Sequence, residues 1–221
     1  MLKERWLDKL NQKFGRYGIR NLMTFIVGGM AIVYLMELLI YPMTGFSLSS
    51  VLAFNRSAVL HGQIWRLITF IFIPPDSSIL FILFSLYFYW LIGNALENQW
   101  GAFRFNIYYL CGMLCTVIAG MITGYATNSY LNLSLFLAFA LMYPDYQVMV
   151  FFVLPVKMKY LALLDVAGLA VMFVVDSWAG RIALLVSLGN VILFFRRDFI
   201  DGIQNAKRRY EWRKNINNNW R

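Results

Sequence analysis

The sequence predicts an all-α polytopic membrane protein, a six-helix bundle with an interfacial loop between its first two spanning helices. Hydrophobic residues make up 60% of the 221 residues and charged residues only 14%, against roughly 25% charged residues in soluble proteins. The apolar residues form long blocks without a polar face, which is typical of helices that are solvated by lipid. Basic residues concentrate at the two ends of the chain, and this concentration predicts how the bundle is oriented.

Six segments are apolar enough to cross a bilayer, whose hydrocarbon core takes about 20 helical residues to span. They are residues 23–42, 79–96, 105–123, 131–143, 160–175 and 182–195. The fourth and sixth are short for a span, so we expect them inside the bundle or in locally thinned bilayer. The chain therefore divides into an amphipathic N-terminal segment (1–20), a membrane domain (21–195) and a basic tail (196–221).

The distribution of charge predicts that both termini are cytoplasmic. Residues 1–20 and 196–221 are rich in Lys and Arg, with few acidic residues among them. The basic residues between them are Arg104, Lys157 and Lys159 in the predicted inner loops and Arg56, Arg66 and Arg181 in the outer ones. The positive-inside rule then places both ends on the inner side, which requires an even number of spans. Six spans satisfy this requirement.

The basic segments that flank the membrane domain indicate which partners to expect. The spacing of Leu2, Trp6, Leu10 and Phe14 among basic residues favours a helix in the inner interface. Residues 207–214 of the tail favour the same contact, or a contact with a cytosolic partner. Orientation and lipid contact account for much of the +9 net charge, so we expect the lipid bilayer and no nucleic acid as a partner.

The cysteines and the single histidine do not suggest a cofactor. Cys111 and Cys115 fall at i,i+4 in one apolar block, where we expect them to pack rather than form a disulfide. One histidine, His61, and two such cysteines cannot build a zinc site. We therefore expect no metal and no other cofactor.

The loop between the first two spans contains the predicted interface with lipid or with a client protein. Residues 46–75 are too apolar for a plain connector and suggest two short helical pieces before Pro74 and Pro75. Trp65 beside Arg66 suits the headgroup zone, since the indole prefers the interface and the guanidinium pairs with phosphate. His61 opens the same stretch. One interpretation is a simple interfacial anchor, and the other is a lateral lip that admits other membrane segments.

Several stretches together resemble the rhomboid superfamily in its Derlin-like form, over roughly residues 20–195. They are 61–69 (His-Gly-Gln-Ile-Trp-Arg-Leu-Ile-Thr), 93–97 (Gly-Asn-Ala-Leu-Glu), Trp100-Gly101, Arg104-Phe105, Tyr108-Tyr109, 143–145 (Tyr-Pro-Asp) and 151–157 (Phe-Phe-Val-Leu-Pro-Val-Lys). The resemblance implies a six-helix rhomboid-like bundle. Derlins act in membrane-protein quality control and retrotranslocation, so it also implies a related role.

The residues that rhomboid proteases use are largely replaced in this sequence. Those enzymes carry a Gly-x-Ser-Gly nucleophile loop on the fourth helix and a histidine base on the sixth. Here residues 132–135 read Asn-Leu-Ser-Leu, so Ser134 remains without its glycines, and Ser187 occupies the position of the base. Phe81 and Ser85 occupy the positions that support the oxyanion. The resemblance thus indicates the inactive, pseudoprotease branch.

The remaining polar groups at membrane depth predict a wet cavity and three polar contacts. We expect Ser85, Asn128, Asn132, Ser134, Ser187 and Asn190 to line the cavity. Ionisable groups at this depth are costly, so we expect each acid to have a partner. Glu37 is expected to pair with Arg66 or Arg56 or to reach the headgroups, and Glu97 with Arg104. Asp165 is expected to pair with Lys157, Lys159 or Arg104.

These observations predict a catalytically inactive rhomboid-like protein. It would bind the transmembrane helices of client proteins and aid their quality control or trafficking. The alternatives that remain are a divergent rhomboid intramembrane serine protease using Ser134 and a transporter or scaffold of unknown cargo. Compact loops and the lack of an organelle signal favour a bacterial cell membrane as the location.

Overall fold

The computed structural model describes residues 5–75, 78–150, 154–175, 177–178, 180–182, 184–185 and 188–195. The chain begins with an amphipathic helix, α1 (Arg5–Phe14), followed by a 3₁₀ turn at Gly15–Tyr17. The first spanning helix, α2 (Leu22–Thr44), covers the predicted segment 23–42 and extends it by a few residues. It ends at Gly45, whose positive φ of 66° suits a glycine C-cap.

Short elements fill the loop between the first two spans. They are α3 (Leu48–Leu52), β1 (Phe54–Asn55), α4 (Arg56–Leu60), α5 (Arg66–Thr69) and a 3₁₀ turn at Phe70–Phe72. The loop therefore contains short helical pieces before Pro74 and Pro75, as predicted, but more than the two expected. Its strand β1 pairs antiparallel with β2 (Tyr125–Ala126), which attaches the loop to the distant connection before the fourth helix.

The other long helices match the predicted spans. They are α6 (Ile79–Trp100), α7 (Ala102–Thr123) and α9 (Met158–Val175). Within the described ranges, these three and α2 are long and apolar enough to cross a membrane. Residues 188–195 are helical, while parts of the predicted sixth span, Ser187 among them, lie outside the described residues. The predicted all-α polytopic membrane fold is confirmed.

The short fourth helix, α8 (Ser129–Met142), lies inside the bundle, as its length predicts. Its buried residues include Leu131, Leu135, Ala138 and Phe139, and the core around it is apolar. Glycines let the neighbouring helices approach closely. A Cβ on Gly93 of α6 would overlap Met23 of α2, and one on Gly112 of α7 would lie 2.5 Å from Leu131 Cδ1.

A β-hairpin connects the C-terminal end of α8 to the N-terminal end of α9. Its strands are β3 (Gln147–Val150) and β4 (Leu154–Lys157), paired antiparallel with Val148 opposite Val156. Residues 151–153 between the strands, which include Phe151 and Phe152, lie outside the described residues. The hairpin supports the beginning of α9, whose first residue, Met158, donates its N–H to the Tyr146 carbonyl at 2.9 Å.

Candidate functional site

A groove lies between α6 and α9, with α8 at its base. It encloses about 610 Å³. Its α6 wall includes Phe81, Ser85 and Phe88, and its α9 wall includes Leu164 and Gly168. Asn132, Leu133 and Phe136 of α8 form its floor. The groove, defined by these three helices, is therefore mostly apolar, with polar groups spaced along it.

Helix α9 is the least enclosed of the long helices. Only 11% of its apolar window is buried, whereas 22–33% is buried in the other three. The Leu164 side chain is 72% exposed although it lines the groove. A Cβ on Gly168 would meet no atom within 4 Å. The α9 wall thus has unfilled space of the kind that another apolar helix fills on packing.

Ser85 of α6 and Asn132 of α8, which were both expected to line a wet cavity, lie in the wall of the groove. The Ser85 hydroxyl donates to the Phe81 carbonyl, one turn earlier, at 2.9 Å. Asn132 is buried, and its Oδ1 accepts no hydrogen bond within the described structure. The Asn132 side chain also contacts the Tyr89 hydroxyl, another group of the groove, and its Oδ1 is a buried side-chain acceptor without a partner in the groove wall.

Asp165 on α9 lies where the groove meets a second cavity of about 420 Å³. This second cavity lies between α7, α8 and α9 and is lined by hydroxyl groups that include Thr116, Thr123 and Ser129. The Asp165 Oδ2 atom is buried and has no hydrogen-bond partner among the described residues. Asp165 lies about two turns, or about 10 Å, along α9 from Met158.

The expected pairing of Asp165 with Lys157 or Lys159 is wrong. Both ammonium groups instead lie near Asp145, in the turn before β3, with Nζ–Oδ1 distances of 3.6 Å and 3.0 Å. The hydrogen bond and charge of Lys159, together with the charge of Lys157, lower the pKa of Asp145. Arg104 is not a partner of Asp165 either in the described part of the chain. The hairpin brings Asp145 to the lysines, so they have a partner outside the bundle.

Ser134 and Asn190 lie away from the groove, on the α7 side of α8. The Ser134 side chain is 1% exposed, and its Oγ donates to the Leu131 carbonyl at 2.8 Å. The Ser134 carbonyl accepts from the Tyr108 hydroxyl of α7 at 2.9 Å. Asn190 is buried beside Gly112 of α7. This placement differs from the expected shared cavity, because residues two apart on a helix, such as Asn132 and Ser134, point to nearly opposite faces.

The predicted interface residues of the first loop are largely bonded within the loop. Arg66 Nη1 donates to the Ser50 and Ala53 carbonyls at 2.8 Å and 2.6 Å, and Nε donates to Gln63 Oε1 at 2.7 Å. The His61 ring contacts the Ser57 carbonyl through Nδ1 at 2.6 Å. Trp65 is half-exposed, so its contact with headgroups or with a client stays a prediction.

Two more polar side chains fasten the loop to the bundle. Glu37 accepts from the Ser49 amide at 2.9 Å and from its hydroxyl at 3.3 Å, not from Arg66 or Arg56 as expected. Asn128, expected in the cavity, donates to the Ile71 and Ile73 carbonyls at 3.2 Å and 2.7 Å. These loop amides and carbonyls lack helix or strand partners, and the polar side chains satisfy them.

Glu97, near the inner end of α6, caps the first spanning helix. Its two carboxylate oxygens accept from the backbone N–H groups of Asn21, at 2.6 Å, and Leu22, at 3.2 Å. Glu97 is buried, and α2 has no side-chain cap of its own. Asn21 stands at the N-cap, where an asparagine side chain usually supplies the cap itself, so nothing in the sequence indicated that Glu97 would supply it. The expected pairing of Glu97 with Arg104 stays a prediction.

Both cysteines of α7, Cys111 and Cys115, are free thiols, as expected from their place on one helix face.

The long apolar helices around a short buried helix define an integral membrane protein of the all-α, multi-span class. The chain belongs to the family described as Eukaryotic integral membrane protein (DUF1751), whose model matches residues 24–195. No curated protein and no solved structure matches this chain.

The family corrects the expected location. Because its members are eukaryotic integral membrane proteins, the expectation of a bacterial cell membrane is wrong. Span length follows from bilayer thickness, which varies by only a few Å between membranes, so span length does not distinguish a bacterial from a eukaryotic membrane.

Proposed function

We propose that this protein binds transmembrane segments of other membrane proteins in the groove and aids their quality control or trafficking. The observation that carries the proposal is the open groove itself, a cavity of about 610 Å³ beside a spanning helix that is mostly unburied. A second apolar helix would pack against the α6 and α9 walls. This packing is the main source of helix association in lipid, where no hydrophobic driving force exists between helices.

The polar groups of the groove would favour client segments that carry a polar residue within an otherwise apolar span. A polar side chain in lipid lacks hydrogen-bond partners, and this lack costs free energy. The buried Asn132 Oδ1 offers such a side chain an acceptor. Clients with a polar residue or weak hydrophobicity in the span would therefore leave lipid for the groove, and selection of such segments is what a quality-control protein requires.

The proposal includes the rhomboid-like, pseudoprotease identity and a non-hydrolytic mechanism. The placement of Ser134 supports it, since a nucleophile must be accessible and within hydrogen-bond reach of a base. The Ser134 hydroxyl is buried and donates within its own helix. The one histidine, His61, lies in the first loop with its ring against Ser57.

A serine-reactive fluorophosphonate probe tests the non-hydrolytic part of the proposal. We expect the wild-type protein and the Ser134→Ala variant to be labelled equally and only at background, because the hydroxyl is enclosed. Gel fluorescence of the purified protein in detergent is the measurement. Labelling of the wild-type protein that disappears in Ser134→Ala would favour the protease and contradict this proposal.

Photo-crosslinking tests the binding part. A crosslinking residue at Leu164 in the groove should capture a Trp-flanked Leu-Ala peptide of about 21 residues with one central Asn, long enough to span a bilayer. The same crosslinker at Leu110 is the matched control, since Leu110 is an exposed leucine of α7 and about 12 Å from that helix's beginning. We expect several-fold more peptide at Leu164. Equal capture at both positions would reject the groove as a binding site.

A further inference from the structure

The Asp165 carboxylate lines the groove and the adjoining cavity, and no cationic side chain among the described residues pairs with it. We propose that it selects client segments that carry a lysine or arginine at membrane depth. This inference deepens the proposed function and rests on it, because it names the class of transmembrane segment that the groove favours. The carboxylate would form an ion pair with the client's basic group as the client helix packs against α9.

The first argument is that the described basic side chains closest to α9 in the sequence, Lys157, Lys159 and Arg181, have other partners. Lys157 and Lys159 both lie close to Asp145. Arg181 donates from Nη2 to the Val174 carbonyl at 2.9 Å and lies over the Phe173 and Trp178 rings. In the described part of the chain, the Asp165 carboxylate thus has no ion pair, and Oδ2 has no hydrogen bond.

The second argument is the depth of the carboxylate. Lys157 and Lys159 mark the membrane face at which α9 begins, so Asp165, about 10 Å along the helix from Met158, is expected inside the hydrocarbon core, which is about 30 Å thick. An acid there is costly, and such residues usually face a partner or a water-filled cavity. Asp165 faces cavities on both sides, so a cationic group has room to reach it.

The third argument is the chemistry of the surrounding walls. The groove side is apolar and aromatic, with Phe84, Phe88 and Leu161 among its residues. The adjoining cavity presents hydroxyl groups that include Ser129 and Thr116. A lysine or arginine has a matching shape, since its apolar stem packs along hydrophobic surface while its charged end reaches polar groups. The walls therefore fit a basic side chain on an apolar helix better than they fit a small hydrated ion.

Matched peptides in phosphatidylcholine nanodiscs test the inference, with the crosslinker at Leu164. The Leu-Ala peptide carries Lys, Asn or Leu at one position, about 10 Å from the membrane face at which α9 begins. We expect the Lys peptide to be captured about three- to tenfold more than the Asn peptide, as one polar contact between membrane helices allows. Moving the Lys to the terminal turn, where it reaches the headgroups by itself, should remove the preference.

The Asp165→Asn variant tests whether the carboxylate is responsible, and its unfolding midpoint checks that it remains folded. The ratio of Lys-peptide to Asn-peptide capture should fall to about one, while capture of the Asn peptide stays as in the wild type. Equal capture of the two peptides by the wild-type protein would overturn the inference and leave the proposed function intact. If the Asn peptide is captured no better at Leu164 than at Leu110, the proposed function fails as well.

Discussion

Replacement of Glu97 by alanine should lower the free energy of unfolding by about 3 kcal/mol, since each hydrogen bond to a charged group contributes about 1.5–3 kcal/mol. The carboxylate accepts from the N–H groups of Asn21 and Leu22, and the variant would leave both without their acceptor. The first N–H groups of a helix have no partner within that helix. The negative charge also complements the dipole at the beginning of α2. Unfolding in mixed detergent micelles, followed by tryptophan fluorescence, measures the loss.

Two variants serve as controls for this prediction. Glu97→Gln keeps one acceptor oxygen and loses the charge, so we expect roughly half of the destabilisation, in line with the weaker hydrogen bonds of neutral groups. Glu37→Ala removes another acid of a spanning helix, which is less buried than Glu97 and accepts hydrogen bonds at the start of α3, from Ser49 among others. It should cost less than Glu97→Ala. A Glu97→Ala protein as stable as the wild type would show that the carboxylate does not hold α2 against α6.

The spanning helices could be predicted from the sequence because lipid imposes a simple requirement. Each span must be long, apolar and hydrogen-bonded within itself, and hydropathy reports all three properties. The short length of α8 also predicted its burial. The predicted ends of the helices were less accurate, since α2 continues past Pro42 to Thr44 and α6 continues to Trp100. A proline in the last turn of a helix leaves the earlier turns intact, and the segment after 96 is less apolar but still helical.

The strand pairs were not predictable. Strands β1 and β2 have two residues each, too few for an alternating pattern to be recognised. The pairing of β1 with β2 joins residues some seventy positions apart. The turn before β3 carries Asp145, which lies close to Lys157 and Lys159 and so leaves Asp165 without them. A misassigned ion pair thus followed directly from an unrecognised hairpin.

The candidate site was predicted in composition but only partly in arrangement. The sequence singled out Asn132, Ser134 and Asp165 because polar groups are rare in spanning helices. It could not show which neighbour each one faces. Asn132 and Asp165 line the groove, whereas Ser134 packs toward Tyr108. The direction of a side chain on a helix that is apolar all round depends on its neighbours, and such a helix gives no amphipathic pattern to reveal it.

Replacing Gly168 by phenylalanine tests the groove most directly, because the ring would fill the space that a client helix needs. A Cβ on Gly168 meets no atom within 4 Å, so a side chain can begin there without displacing a neighbour. Gly28 of α2 is the matched control, since its Cβ would also meet no atom within 4 Å and it lies on another exposed helix face. Both variants replace a helical glycine, so both should be at least as stable as the wild type.

Binding of the central-Asn peptide in nanodiscs, measured by Förster transfer from a labelled protein, is the deciding measurement. We predict that Gly168→Phe weakens binding about tenfold, a loss of about 1.4 kcal/mol, while Gly28→Phe binds as the wild type does. The unfolding midpoints of the two variants should agree. Wild-type affinity in Gly168→Phe, or an equal loss in Gly28→Phe, would contradict the claim that transmembrane segments bind between α6 and α9.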